Sequence, residues 1–458
     1  MVEILEILLK IKNTIWSAPL LIFILGTGLY FTFLLRGLQF RYLRYGLYQA
    51  FKSHKEKSKG DISHFQSLMT FLAGAIGTGA ITGVATGIAI GGMGMLFWMW
   101  VTAIFGMVIR YVEALLAVHY REMDSRGEML GGPMEYIGRG LGWRWMAVLF
   151  SIFGVGASLG LGNLVQANAI SDAFVNDFAF NSWLVGCIVA VLTGLVLLRG
   201  IKSIGFVTAF LVPLMAVFYV VSGLIILALN FHHIPQVFSK IFSEAFTGQA
   251  AAGGFIGSTV MVTVRMGVSR AIFSSEAGLG ASAIAAAAAK TDHSGRQAMV
   301  AMTGVLLSTI VVCTVTGLVM GVMGVVGSTG RSGKLLAGTT LAIEAFRRGI
   351  PGGGIIVTVG LVLFAYSTII AWAYYGEKCI EYIFSERIIP IYRIFFVLLL
   401  IPGAVVDLNA VWAIADIFNG LMSLPNLLAL VLLSGVVVTE TKKFLKVADQ
   451  EIAQRRKK

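Results

Sequence analysis

Two long apolar stretches of this chain carry glycines where a membrane helix should be continuous. The first runs from Phe65 to Ile90, with Gly74-Ala75-Ile76-Gly77-Thr78-Gly79-Ala80 near its centre. The second runs from Phe255 to Ala289 and contains Phe273-Ser274-Ser275-Glu276-Ala277-Gly278-Leu279-Gly280. An unwound helix frees backbone N–H and C=O groups, and lipid offers them no partner. Such groups are tolerated only where they line a cavity or meet a ligand. One interruption in each half of a chain is the pattern of a transporter with its binding site at the membrane midplane.

Of the 458 residues, 57% are hydrophobic and 13% charged, where a soluble domain carries roughly 25% charged residues. The chain is therefore an all-α polytopic membrane protein. The 54 glycines suit close helix–helix approach and broken helices. The net charge of +12 belongs on cytoplasmic loops. No soluble domain exists to present it to nucleic acid. Cys187, Cys313 and Cys379 have no metal-ligand spacing, and an odd number argues against a disulfide framework. The apolar run 15–35 is too long for a signal-peptide core. Glu3 and Glu6 also offset Lys10 and Lys12, so it reads as a retained helix.

Segments of about 20 apolar residues read as spans. They fall at 14–36, 65–90, 94–118, 146–173, 182–198, 204–229, 255–289, 298–326, 353–375, 388–405 and 408–440, eleven in all, the last kinked at Pro425. The stretch Arg36–Gly60, rich in Arg and Lys, reads as a cytoplasmic interfacial helix. With eleven spans and the N-terminus outside, Arg121, Arg139, Arg199, Lys290, Lys378 and the C-terminal Arg455-Arg456-Lys457-Lys458 share its side. The loop with Arg331, Lys334, Arg347 and Arg348 dissents. The expected organisation is an N-terminal helix (1–36), an interfacial segment (37–64), two five-helix repeats (65–229 and 255–440) and a basic cytoplasmic tail (441–458). Each repeat opens with a broken helix, as inverted-topology repeats do.

A free amino acid is a small zwitterion. Its carboxylate needs N–H donors, which the N-terminal end of a half-helix presents with a favourable dipole. Gly77, Thr78 and Gly79 supply that end. Its ammonium needs oxygens, which the C-terminal end of a half-helix presents at Ile272, Phe273 and Ser274. Gly79 and Gly278 permit close backbone approach, and glycine and alanine walls leave room for a small side chain only. A nucleotide loop is excluded, because no strand precedes Gly77 and Gly83 has the wrong spacing. Close packing of small residues is the alternative to a site.

Glu276 is an ionisable group inside an apolar span, a functional candidate by default. It is otherwise a carboxylate that caps the broken helix or pairs with Arg265 or Arg270. Gln166 is interhelical glue or a ligand-facing amide, and its midspan depth favours the second. Ser367 and Thr368 offer adjacent hydroxyls that either bond back to their own helix or face the first break. Asp416 and Asn419 read as structural, and the six histidines as interfacial.

These residues resemble the sodium:alanine (alanine or glycine:cation) symporter family. The resemblance is carried by Gly60-Asp61-Ile62-Ser63-His64-Phe65-Gln66, Gly77 to Ala85, Phe97-Trp98-Met99-Trp100, Gly131-Gly132-Pro133-Met134, Phe273 to Gly280 and Tyr374-Tyr375-Gly376-Glu377-Lys378-Cys379. It implies eleven transmembrane helices in a leucine-transporter-like fold, one helix plus a five-plus-five inverted repeat. It implies a secondary symporter that imports a small neutral amino acid, most often alanine or glycine, with sodium. A glutamine or proton-coupled carrier of the same fold, or an amino-acid sensor, is the alternative. It places substrate against Gly77, Thr78, Gly79, Gln166 and the second break. It places sodium between the carbonyls of Ala73 and Ile76 and the turn of Phe364, Ser367 and Thr368. Ala80 and Ser275 stand where the family usually has Asn, so a single sodium is expected. Met93 stands where the family commonly has Pro, and nothing in the sequence explains it.

Other classes fit less well. No nucleotide-binding loop supports primary transport. No repeated filter or charged ring supports a channel. An enzyme needs convergent acid–base or metal residues, and only Glu276 offers itself.

Overall fold

The computed structural model describes residues 2–52, 59–178, 180–247, 259–329, 335–406 and 408–456. Seven helices among them are long and apolar enough to cross a membrane: Leu5–Leu34, Met95–His119, Arg144–Val175, Gly200–Leu229, Ser294–Val322, Gly353–Phe384 and Val411–Leu432. The pair His64–Ala75 and Gly79–Gly91, bent by 52°, makes an eighth. The other expected spans are shorter or broken. Ser182–Leu197 and Ile389–Gly403 have 16 and 15 residues, about 22–24 Å at 1.5 Å per residue, less than a hydrocarbon core of about 30 Å. The span at 255–289 is divided, and its residues 255–258 lie outside the described residues.

Burial orders the helices. Met95–His119 is central, with 83% of its most apolar window buried, whereas Gly200–Leu229 has 39% and turns Phe206 and Phe210 outward. A small antiparallel hairpin, Glu122–Met123 with Met129–Leu130, is the described β-structure besides isolated bridges.

The first broken helix starts at a capping box, Ser63 with Gln66. Such a box satisfies two orphan donors reciprocally. The helix stops at Ala75, and Ile76 leaves the helical region at ψ 64°. It resumes as a π-helical turn, Gly79–Gly83, and then as Val84–Gly91. The second, Val260–Ser275, begins at the Thr259 cap. It ends where Glu276 adopts φ +51°, and it resumes at Ala283–Ala287. Gly278 and Gly280 follow at φ +89° and +82°. A left-handed glutamate just ahead of such glycines is strained, because only glycine visits that region freely.

Two features appear at the C-terminus. The helix of the last span runs through Pro425 to Leu432, and an interruption falls at Leu433. Proline removes one N–H, and packed neighbours in a bundle tolerate that. The basic tail is a helix, Ser434–Arg456, docked on the body. Tyr42 donates to Asp449 at 2.8 Å, Tyr45 donates to Glu451 at 2.8 Å, and Arg296 pairs with Glu451 at 2.8 Å. The interfacial segment forms the helix Leu43–Phe51 with Tyr45, Gly46, Gln49 and Ala50 buried and Arg44 exposed. Its Lys55 and Lys57 lie outside the described residues.

Candidate functional site

The two breaks line one cavity. Gly77, Thr78 and Gly79 come from the first, and Phe273, Glu276 and Leu279 from the second. Leu161 and Gln166 enter from the span Arg144–Val175, Thr368 and Trp372 from Gly353–Phe384, and Asn419 from Leu408–Leu432. The free volume is about 10 Å³, roughly enough for the centre of one water. The breaks also touch directly. A Cβ built on Gly74 would lie 3.1 Å from Glu276 Oε1, and one on Gly79 would lie 3.5 Å from the Phe273 ring.

The polar atoms around the cavity set it apart from a packed core. Thr78 Oγ1, Gln166 Oε1, Glu276 Oε2, Trp372 Nε1 and both amide atoms of Asn419 are buried and make no hydrogen bond of normal geometry, although the Trp372 indole and the Ser282 hydroxyl are turned toward the Glu276 carboxylate. Each buried polar group left unpaired costs about 1–3 kcal/mol. Six such atoms at one place are a cost that a ligand would remove. They comprise acceptors, donors, a hydroxyl able to do either, and one carboxylate. Gln166 is held by its other end, donating Nε2 to Leu161 O at 3.1 Å, so its oxygen is left for the cavity.

Beside the first break lies a cluster of oxygens. Thr368 Oγ1 donates to Ala73 O and Phe364 O, both at 2.9 Å, and Ser367 Oγ reaches the same two carbonyls at 3.4 and 2.9 Å. Four of the five residues expected at a sodium site are thus brought together. The fifth, Ile76, caps the broken helix, with its N–H bonded to Leu72 O. The hydroxyls bond back to their own helix and face the first break at once, so both sequence readings hold. Gly77 leans on this cluster: a Cβ there would sit 2.5 Å from Thr368 Oγ1.

Three expected substrate residues lie elsewhere. Ile272 O accepts the Glu276 N–H at 2.8 Å. Ser274 Oγ bonds Thr309 Oγ1 at 2.8 Å. Gly278 turns toward Leu427 and Ile24, with its amide bonded to Glu113 at 3.0 Å. Neither sequence-suggested partner of Glu276 pairs with it: Arg265 bonds Asn13, and Arg270 lies over the Phe273 ring. The Glu276 carboxylate instead packs against Gly74, with the Ser282 hydroxyl and the Trp372 indole turned toward it and Arg110 one turn away over the Phe71 ring. Sequence reasoning passed over Arg110, Glu113, Trp372 and Asn426. The first two carried a signal, because charges three residues apart inside an apolar span satisfy the rule that singled out Glu276.

The model of the sodium:alanine symporter family matches residues 1–458. The chain belongs to that family. It is 49% identical over 446 residues to the sodium/alanine symporter AgcS of Methanococcus maripaludis, covering 96% of this chain and 97% of that one. It is 36% identical to the probable sodium/glutamine symporter GlnT of Bacillus subtilis, covering 97% and 91%. Among solved structures, the transporter MhsT in complex with L-phenylalanine aligns with a TM-score of 0.57 at 15% identity, covering 80% of this chain and 89% of that one. The Eremococcus coleocola manganese transporter aligns at 0.54 and 15%, covering 80% and 79%. These likenesses show the fold, which is leucine-transporter-like. The symporter is thus a multi-pass membrane transporter and not an enzyme.

Proposed function

We propose that the symporter imports a small neutral amino acid, alanine or glycine, together with one sodium ion by alternating access. The observation that carries this reading is the cavity between the two breaks, with its unpartnered buried polar atoms. The amides of Gly77, Thr78 and Gly79, at the start of the half-helix, and the Thr78 hydroxyl receive the carboxylate. Glu276 and the carbonyl of Phe273 receive the ammonium. Leu161, Phe273, Leu279 and Trp372 crowd the remaining wall, and a small side chain fits where a large one does not. Sodium is a co-substrate, taken up by the oxygens of Ala73, Phe364, Ser367 and Thr368 with the Ile76 carbonyl. An all-oxygen set beside an unwound helix is the arrangement such ions use in coupled transporters.

The N-terminus lies outside and the C-terminus in the cytoplasm, with residues 65–229 and 255–440 as the inverted repeats. In support, the C-terminal helix docks on the first basic segment through Tyr42, Tyr45 and Gln49, so both sit at one face. Half the charge of the dissenting loop is neutralised where it is described, since Arg347 and Arg348 share Glu344. Arg331 and Lys334 lie outside the described residues.

Uptake of labelled alanine into proteoliposomes, with and without an inward sodium gradient, tests this function. Sodium-driven accumulation that glycine inhibits is expected. Uptake driven by a proton gradient alone, or inhibited by glutamine and not by glycine, would overturn the assignment.

A further inference from the structure

Behind the second break lies a buried ionic group that does not line the cavity. Arg110 and Glu113, one turn apart on the central helix, pair at 2.7 Å, and both side chains are 0% exposed. Glu113 Oε1 accepts three hydrogen bonds: from the Gly278 amide at 3.0 Å, the Gly280 amide at 3.1 Å and Asn426 Nδ2 at 2.7 Å. Asn426 Nδ2 also donates to Gly278 O at 2.9 Å, and its Oδ1 accepts from Tyr136. One carboxylate thus caps the backbone that the break frees. Arg110 has two further donors, Nε and Nη2, without hydrogen-bond partners, and its guanidinium lies over the Phe71 ring at 4.6 Å, one turn before Gly74, against which the Glu276 carboxylate packs.

We propose that Glu113 and Arg110 are positioning residues for the substrate's ammonium. Glu113 does two things. It fixes the unwound segment through the Gly278 and Gly280 amides. It also engages Arg110, so that Glu276 keeps an unneutralised carboxylate at the cavity. Counting Glu113, Arg110 and Glu276, the group carries one negative charge in excess, and an ammonium entering the cavity balances it. The proposal rests on the reading of this cavity as the substrate site. It selects for a free amino group: D- and L-alanine carry the balancing charge, and lactate does not.

The test is alanine binding to the purified full-length protein in saturating sodium. In Glu113→Gln the side-chain oxygen still accepts from the two amides, but Arg110 loses its counter-charge and turns to Glu276. Alanine affinity should fall at least about tenfold, as expected when one charge of a buried set is removed. In Glu113→Gln with Arg110→Gln the excess negative charge returns, and affinity should recover to within about threefold of wild type, because charge and not bulk was lost. A purely structural role predicts that the double variant binds no better than the single, and that result overturns the charge-balance role. Wild-type affinity in Glu113→Gln overturns the proposal outright. Asn426→Ala guards against a folding failure, since it strips three bonds, one from the Gly278 carbonyl, one from Glu113 and one from Tyr136, and leaves every charge. A loss of at least about threefold is expected there, and wild-type affinity sinks the proposal by itself. Thr78→Val, measured in parallel, separates this idea from its premise. Normal alanine affinity in that variant would show that substrate binds elsewhere. Weak binding there with normal binding in Glu113→Gln would remove the positioning role alone.

Discussion

Replacing Thr78 by Val should weaken alanine binding without weakening the fold. The Thr78 side chain is 1% exposed, and its Oγ1 has no protein partner. Valine keeps nearly the same volume and removes the hydroxyl. In the unliganded protein no hydrogen bond is lost and an unpaired buried polar atom disappears, so stability should hold or rise by up to about 1–3 kcal/mol. In the bound protein a hydrogen bond to a carboxylate is lost, worth about 1.5–3 kcal/mol. At 1.4 kcal/mol per factor of ten, affinity should fall roughly 10- to 150-fold. The two effects have opposite signs, which makes the experiment discriminating. Binding is read by calorimetry in saturating sodium, stability by thermal unfolding in detergent, and transport by uptake into proteoliposomes. Uptake at ordinary alanine concentrations should be abolished. Alanine affinity within threefold of wild type would refute the assignment of Thr78. A clear loss of thermal stability would refute the argument in another way, by showing that the hydroxyl serves the fold.

Other outcomes follow from the same geometry. Gly79→Leu places a side chain against Phe273 in a cavity of about 10 Å³, and alanine binding should be lost while the protein remains folded; unchanged affinity would put Gly79 outside the site. Ser367→Ala with Thr368→Val removes both hydroxyls that meet Ala73 O and Phe364 O. It should raise the sodium concentration for half-maximal alanine binding more than it lowers binding at saturating sodium, since linked sites shift each other's affinity equally. Wild-type flux should follow sodium with a Hill coefficient near about one, and a clearly sigmoidal curve would reveal a second ion. Glu135, between the spans Met95–His119 and Arg144–Val175, is pushed up to about 7 by burial and by nearby Glu381, against the pull of Arg139, whose Nε lies 2.5 Å from its carboxylate. Its folded form therefore holds a proton that the unfolded form releases near 4.5. This contribution to stability is present at low pH and is lost as pH rises from about 4.5 through 7. Glu135→Gln should thus stabilise the protein relative to wild type more at pH 8 than at pH 5, and an equal difference at both pH values would contradict the shift.

What the sequence by itself determined is local. Apolar length marked the membrane helices. Glycine and a buried glutamate marked both breaks to within a few residues, because backbone freedom and the cost of a charge in lipid are properties of short segments. The adjacent hydroxyls of Ser367 and Thr368 were legible as residues, but the oxygens of Ala73 and Phe364 that join them were legible only with the family resemblance, since nothing in a linear pattern brings residue 73 beside residue 368. Sequence also expected Ile272, Ser274 and Gly278 at the substrate, and they lie behind the cavity wall. Ile272 and Ser274 are still in the helix Val260–Ser275 and Gly278 is past its end, and only the packed partners fix which side of each meets the cavity.

Tertiary structure alone decided who meets whom. It set Glu113 under the Gly278 and Gly280 amides, Arg110 near Glu276, and Asn419 and Trp372 at the cavity. It also wound Gly79–Gly83, Ser158–Val165 and Leu306–Cys313 as π-helical stretches. Gly79 and Leu161 of the first two line the cavity, and Thr309 of the third holds Ser274. Such stretches recur at functional sites. They have no signature in residue spacing, because the extra residue per turn is stabilised by the neighbouring helices and not by the segment itself.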